Sequence, residues 1–276
     1  MSARLPDPIT MVARRTGNVR VHTFVSAFTD DNIANATHII ESRNSLVLID
    51  GQFLAPYAEK FREYADSLGK PIARLYLSHR HPDHWFGVGT AFGDVPIHAL
   101  VETRDFIREH GEDSKNDHEK KLGDLGPRRI VVPQEIVEPG EETVDGVGYV
   151  FDRVTDTEID VALTVAVPEA GVLAAQDLIY SGTHLYLTAH LEEWTRVLET
   201  MLVSDYELFL PGHGLPADKN EVARNIEYLA AAGQAIAGGL TGKSFKDFMI
   251  QRYPERRCPG IFDIYLPRLF DGAGDY

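Results

Sequence analysis

Four side chains able to bind metal, packed into six residues behind a short apolar strand, constrain this chain more than any other feature. Leu75-Tyr76-Leu77 reads as a buried strand and runs into Ser78-His79-Arg80-His81-Pro82-Asp83-His84. Histidines two apart on an extended chain point to the same face, so His79 and His81 can grip one cation. Asp83 and His84 follow at the turn into a helix, where the chain changes direction and can aim at a second. With 11 histidines in 276 residues, chance assembles this pattern in on the order of one such chain per thousand. The pattern therefore points to a metal site.

The flanking sequence alternates between two rhythms. Val19–Val25, Ala36–Glu41 and Leu46–Ile49 are rich in Val, Ile, Thr and Phe and read as strands. A helix over Tyr57–Leu68 stops near Gly69 and Pro71. After the histidine motif come a helix starting near Phe86, a strand at Ile97–Ala99 and a helix at Glu102–Glu109. Residues 1–18 read as an irregular leader, and 111–128 as a mobile loop or weak helix. Strands follow at Ile130–Val132, Val147–Phe151, Val161–Val167 and Val172–Ala175. The last third is mostly helical: Leu191–Leu202, a strand at Leu208–Leu210, then Asp218–Ala237. Asp218 is an N-cap candidate, with Glu221 placed to close a capping box. Helices at Ser244–Arg252 and Ile261–Leu269 end the pattern. Strands flanked by helices in both halves predict a layered α/β domain with mixed sheets.

Composition narrows the partners. The formal net charge of −15 repels nucleic-acid phosphates and anionic membranes, which leaves a small-molecule substrate. The single cysteine, Cys258, excludes an internal disulfide and a cysteine-rich zinc module. No signal-like apolar run opens the sequence and no membrane-length apolar stretch follows, so a cytoplasmic protein is expected. No serine-nucleophile elbow, phosphate loop or dinucleotide fingerprint appears in its proper context.

At this point the chain resembles the metallo-β-lactamase superfamily, over roughly residues 19–240. Leu46-Val47-Leu48-Ile49-Asp50-Gly51 resembles that family's strand ending in an acid and a glycine. Gly171-Val172-Leu173-Ala174-Ala175-Gln176-Asp177-Leu178 resembles the strand that carries its bridging carboxylate, with Gln176 where glycine is usual. Leu208-Phe209-Leu210-Pro211-Gly212-His213-Gly214 resembles its closing Gly-His turn. The resemblance implies a four-layer αββα sandwich over residues 19–240, with residues 241–276 as a helical extension packed on the same domain. It also implies two divalent cations, zinc first and manganese or iron as alternatives. His79, His81 and a third ligand would hold one cation, Asp83, His84 and His213 the other, and Asp177 would bridge. Asp83 would further orient a metal-activated water.

The third ligand departs from the family pattern. Where relatives carry a histidine, this chain reads Asp156-Thr157-Glu158-Ile159-Asp160. Counting back from Pro168 selects Glu158, with Asp156 and Asp160 as competitors. A third carboxylate beside Asp83 and Asp177 brings the loaded site close to neutrality, which favours harder cations and weakens its grip on anions. Loops after the bridging aspartate face the cleft in this fold, which makes His184, Tyr180 and Tyr186 candidate substrate contacts. Trp85 and Phe86 are read as packing residues. Histidines 22, 38, 98, 110, 118 and 190 match no ligand spacing. The end segment Arg252–Leu269 could cap the cleft, form a homodimer contact or simply pack.

The function implied is a metal-dependent hydrolase acting on an ester, lactone or related small-molecule bond. The alternatives are a di-iron redox protein in the same pocket and a catalytically silent metal-binding module. Glu158→His is expected to tighten zinc binding, read by titration of the purified protein. An unchanged affinity would argue against Glu158 as a ligand.

Overall fold

The computed structural model describes residues 5–27 and 29–271. The first half contains β1 (Ile9–Thr16), β2 (Val19–Val25), β3 (Ala36–Glu41), β4 (Leu46–Ile49), α1 (Ala55–Ser67) and β5 (Ile72–Leu77). Two short helices, α2 (Pro82–Trp85) and α3 (Val88–Ala91), then lead to β6 (Ile97–Ala99), α4 (Val101–Leu122) and β7 (Glu135–Ile136). The second half contains β8 (Gly140–Val144), β9 (Val147–Thr155), β10 (Val161–Val167), β11 (Val172–Ser181) and α5 (Leu191–Val203). It closes with β12 (Leu208–Gly214), α6 (Lys219–Ala237), α7 (Gly242–Arg252) and α8 (Ile261–Asp271).

Seven strands form one sheet in the order β1-β2-β3-β4-β5-β6-β7, and five form the other in the order β12-β11-β10-β9-β8. Both are mixed. The first is antiparallel from β1 to β4 and parallel from β4 to β7. The second has one parallel pair, β11 with β12.

Strand alternation sets the layers. In β4, Val47 and Ile49 face the second sheet, where they meet Leu163, Val165 and Leu210. Leu46 and Leu48 face the other way, onto Phe61 of α1 and Trp85 and Phe86 of the motif segment. In β11, Val172 and Ala174 join the inter-sheet core. Leu173 and Ala175 face out, onto Trp194, Leu198, Val222 and Tyr228 of α5 and α6. Period-two burial on both sides of both sheets yields helix, sheet, sheet and helix as four layers. Phe245, Phe262 and Tyr265 of α7 and α8 are buried in the same outer cluster as Trp194. Among the described residues no helix is long and apolar enough to cross a membrane.

Four segments differ from the sequence reading, each for a physical reason. Residues 9–16, read as irregular, are β1, and Gly140–Val144 is β8, which the pattern did not show. Both are edge strands, β1 with a register shift between Val12 and Arg14 and β8 almost wholly exposed and acidic. Charge and bulging are how edges avoid further pairing, and they also erase the apolar alternation. Ile130–Val132 is not a strand; its side chains pack half-buried against the α4 side of the first sheet. Residues 111–122 continue α4 without a break. Gly111 lies inside that helix where Ile130 crosses it, and a Cβ there would come within 2.8 Å of Ile130 Cγ2. The glycine marks a close crossing.

The Asp218 cap forms: its carboxylate accepts from the backbone N–H groups of Asn220 and Glu221. The reciprocal half of a capping box does not. Glu221 turns inward and binds Arg224, Asn225 and Arg256. Asp218→Ala removes the two cap bonds and is expected to destabilise the protein by about 1 kcal/mol. Urea unfolding measures this, and an unchanged midpoint would count against the cap.

Candidate metal centre

The end of β5 with the following helix α2, the bulge in the middle of β11, the end of β12 and the turn between β9 and β10 bring seven side chains to one rim of the sandwich. His79 Nε2 and His81 Nδ1 lie 3.0 Å apart, and His81 Nδ1 is 3.4 Å from Glu158 Oε1. His79 Nε2 is 3.7 Å from Asp177 Oδ2. On the other side, His84 Nε2 stands 3.1 Å from Asp177 Oδ1 and 3.5 Å from Asp83 Oδ2. His213 Nε2 is 3.1 Å from Asp177 Oδ2 and 3.4 Å from Asp83 Oδ2. The result is two four-residue clusters, His79-His81-Glu158-Asp177 and Asp83-His84-Asp177-His213, each with ligand atoms within 4.8 Å of one another. Asp177 belongs to both.

Of the three acids weighed for the third position, only Glu158 enters the site. It is buried, whereas Asp156 and Asp160 are exposed and Asp160 pairs with Arg80. Asp156 instead takes a left-handed φ of 56° and starts the tight turn that carries Glu158 inward, its N–H bonded to Asp160 O at 3.0 Å.

Three of the four rings are oriented from behind. Ser78 donates through N–H and Oγ–H to Asp50, both at 2.8 Å. Its Oγ must then accept from His79 Nδ1, at 2.9 Å, which leaves the His79 Nε2 lone pair facing the cluster. His84 Nδ1 donates to Asp50 Oδ2 at 2.7 Å, and His213 Nδ1 to Ile33 O at 3.0 Å. Such outer partners fix tautomer and ring direction in metal sites. Gln176 replaces the family's glycine, keeps the left-handed backbone that glycine permits (φ 46°), and donates Nε2 to Asp50. Pairing of β11 with β12 shifts register on either side of Gln176, so Asp177 is lifted toward the site by a bulge. Gly212 leaves room for that carboxylate, since a Cβ there would lie 1.7 Å from Asp177 Oδ1. His38 holds the approach to this turn, its Nε2 donating to Pro211 O at 2.9 Å.

Charge and proton placement fit a cation pair. Burial pushes His79 well below the ordinary imidazole range, with His84 adding to the effect, and drives His81 down to about 4. Burial also opposes protonation of His84 and His213, but Asp177, Asp83 and, for His84, Asp50 outweigh it and raise both. Glu158 is pushed well above the carboxylate range by burial and by Asp177. Asp177 is held well below it, because His213, His84 and His79 overcome its burial. Protons on His84, His213 and Glu158 thus occupy places that cations can take. Among the described residues, buried His84 Nε2, Asp177 Oδ1 and Glu158 Oε2 have no hydrogen-bond partner. Unsatisfied buried atoms within the two clusters, from nitrogen and oxygen donors, suit divalent metals.

A cleft of about 200 Å³ opens over the clusters. Its floor includes Asp177, Glu158, His213 and Tyr180, and its walls include Phe53, Ile261 and Ile264. Tyr180 Oη lies 3.3 Å from both Glu158 Oε1 and Asp177 Oδ2, and Tyr186 stands beside His81, ring centroids 5.5 Å apart. His184 is absent from the lining. Its backbone N–H bonds Arg257 O at 2.9 Å, its Nδ1 meets Tyr228 Oη at 3.0 Å and its ring packs on Phe262. Pairing of residues 182–184 with the segment before α8 turns this side chain into the core, which corrects its reading as a substrate contact. Trp85 and Phe86 are buried packing residues. His118, given no role from spacing, lines the cleft from the far half of α4, as does Arg268 from α8. The sequence signal for the latter is the three- and four-residue spacing of Ile261, Ile264 and Arg268.

Comparison with known proteins identifies the family and the fold. The family model described as the metallo-beta-lactamase superfamily matches residues 31–213. The chain is 22% identical over 227 residues to metallo-beta-lactamase type 2 of Bacillus cereus, covering 79% of this chain and 82% of that protein. It is 24% identical over 213 residues to the alkyl/aryl-sulfatase BDS1 of Saccharomyces cerevisiae, covering 63% of this chain and only 33% of that protein. Among solved structures, a metallo-beta-lactamase from Pontibacter korlensis aligns with a TM-score of 0.64 at 16% identity, over 80% of this chain and 99% of that one. The inverting sec-alkylsulfatase Pisa1 from Pseudomonas sp. aligns with a TM-score of 0.58 at 21% identity, over 79% of this chain and 42% of that one. At these identities the structural likeness speaks to fold alone, but the family model spans more than half of the chain: the protein belongs to the metallo-β-lactamase superfamily.

Proposed function

We propose that this protein is a dinuclear metal-dependent hydrolase of an ester or lactone. The observation that carries the reading is the pair of ligand clusters sharing Asp177 at the floor of one cleft. His79, His81 and Glu158 would hold one cation and Asp83, His84 and His213 the other, zinc first, with manganese or iron favoured by the oxygen-rich donor set. When bound, such cations polarise a substrate oxygen and lower the pKa of water toward neutrality.

The chain's own groups then position and exclude. Hydrolysis adds water across the acyl C–O bond, giving a carboxylate and an alcohol. Asp83 is the least buried of the carboxylates in the two clusters, its side chain 16% exposed, and it orients the attacking water from the cleft side. Tyr180 is pushed well above the usual phenol range by burial and by Asp177 and Glu158, so it keeps its proton and can donate to the substrate's acyl oxygen. Phe53, Ile33 and Ile261 keep solvent away from the bond. Cleavage of a sulfate ester is the second reading, favoured by the similarity to the two alkylsulfatases.

Metal-reconstituted protein is expected to hydrolyse esters or lactones in a screen that also holds sulfates and phosphodiesters. Chelation or Asp177→Ala should abolish turnover, and added zinc or manganese should restore the chelated enzyme. Turnover that survives complete metal stripping, or none from folded, fully loaded protein, would reject the reading.

Gly212→Ala tests the cluster separately from activity. The methyl must displace the Asp177 carboxylate, so metal affinity should fall by about 10-fold or more while circular dichroism stays native. Unaltered affinity and stoichiometry would mean that Asp177 does not hold metal.

A further inference from the structure

Helix α8 turns one face to the cleft, with Ile261, Ile264 and Arg268 at three- and four-residue spacing. Arg268 is the one lysine or arginine among the described residues that line it. Its Nη1 donates to Tyr186 Oη, and its guanidinium lies 6.0 Å over the Tyr186 ring. That ring is itself 5.5 Å from the ring of His81. A cation therefore stands one aromatic ring away from the ligand clusters.

Two features set this arginine apart. The chain carries 42 acidic against 27 basic residues, and comparable arginines are taken: Arg80 by Asp160, Arg256 by Glu221. Among the described residues no carboxylate pairs with Arg268, although Asp117 lines the opposite wall. Among the described residues its one hydrogen-bond partner is the Tyr186 hydroxyl, which engages one Nη while the ring stacks beneath the plane. The planar fork is thereby held in place with further N–H groups open to a bidentate anion.

We propose that Arg268 recognises a carboxylate on the substrate, at the end remote from the scissile bond. The substrate class is a monoanionic ester or lactone whose apolar middle lies along Ile261, Ile264 and Phe53. This rests on the hydrolase reading and sharpens it. Three carboxylates leave a loaded dinuclear centre near neutrality, so it attracts a distant anion poorly, and the surface charge of the chain repels one. Arg268 supplies the local positive charge that such a substrate needs.

The test compares 4-nitrophenyl hexanoate with the 4-nitrophenyl monoester of adipic acid, which have the same acyl length but differ in a terminal carboxylate. In Arg268→Ala, KM for the adipate ester should rise about 10-fold with kcat unchanged, while the hexanoate constants stay within about twofold. Arg268→Gln keeps a donor for Tyr186, removes the charge and should show the same selective loss, which guards against a packing defect. Equal effects on both esters, or none on the adipate ester, would overturn the proposal. If loaded wild-type protein cleaves neither ester, the hydrolase reading fails by itself, and calorimetry decides the role of Arg268. Octanoate should then bind Arg268→Gln about 10-fold more weakly than wild type, with octanamide unaffected; equal octanoate affinity in both proteins would reject it.

Discussion

The site depends on one buried carboxylate that lies outside both ligand clusters. Asp50 ends β4 with a left-handed φ of 62° and accepts from Ser78 N–H, Ser78 Oγ–H, His84 Nδ1 and Gln176 Nε2. Those donors come from the segment after β5 and from β11, so this one side chain ties the first sheet, the motif loop and the second sheet together. A fully buried carboxylate is costly to desolvate, and several charge-assisted hydrogen bonds are what make it tolerable. The consequence is a rigid rear wall: His79 through Ser78, His84 directly, and Asp177 through its neighbour Gln176 are all aimed by the same group. Backbone strain is concentrated here too, since Asp50, Gln52 and Gln176 all have positive φ. At roughly 1–2 kcal/mol each, such conformations persist only where the surroundings hold them: the Asp50 bonds for Asp50 and Gln176, and for Gln52 its Nε2 bonds to Asn35 O and Thr37 Oγ1.

The Gln176 and Glu158 substitutions belong to one electrostatic arrangement. Glycine at position 176 would provide the turn but no donor. Glutamine accepts the strain and adds a fourth donor to Asp50. Glu158 in place of a histidine adds a negative charge, and without cations its carboxyl holds a proton because it is buried beside Asp177. Cations taken up by these clusters would displace protons from Glu158, His84 and His213, which would couple affinity to pH more strongly than in a site of neutral imidazoles. Affinity rises as pH rises, because each of these groups binds its proton more tightly in the folded, metal-free state than in its ordinary range.

What the sequence displayed and what it hid divide along burial. The strands with apolar alternation, β2 to β5 and β9 to β12, stood out because both sheets are covered on both faces. The ligand motif stood out because its residue types are rare and closely spaced. Edge strands β1 and β8 did not, since solvent-facing edges carry charge instead of alternation. Counting selected Glu158 but left Asp156 and Asp160 as competitors, because the choice depends on which acid the turn at Asp156 rotates inward. His184 misled for the opposite reason. Its position seven residues after Asp177 fits a cleft loop, but pairing of residues 182–184 with the segment at Arg257 directs it into the core, a contact 73 residues away that no local pattern encodes.

That same contact explains why the C-terminal helices matter to the chemistry. Arg256 donates to Tyr180 O and Thr183 O, binds Glu221 and lies over the Tyr228 ring. Asn225 of α6 takes the Tyr180 N–H through Oδ1 and donates to Tyr180 O. The backbone of Tyr180 is thereby clamped by α6 and by the segment leading to α8, while its hydroxyl reaches Glu158 and Asp177. The extension is thus part of the site, because it fixes the tyrosine on the cleft floor and supplies the helix that forms the wall. The candidate ligands come from the sandwich, whereas Ile261, Ile264 and Arg268 of the C-terminal helix add one wall and one positive charge to the space above them. Variation there can change what the protein accepts without disturbing the cations that would act on it.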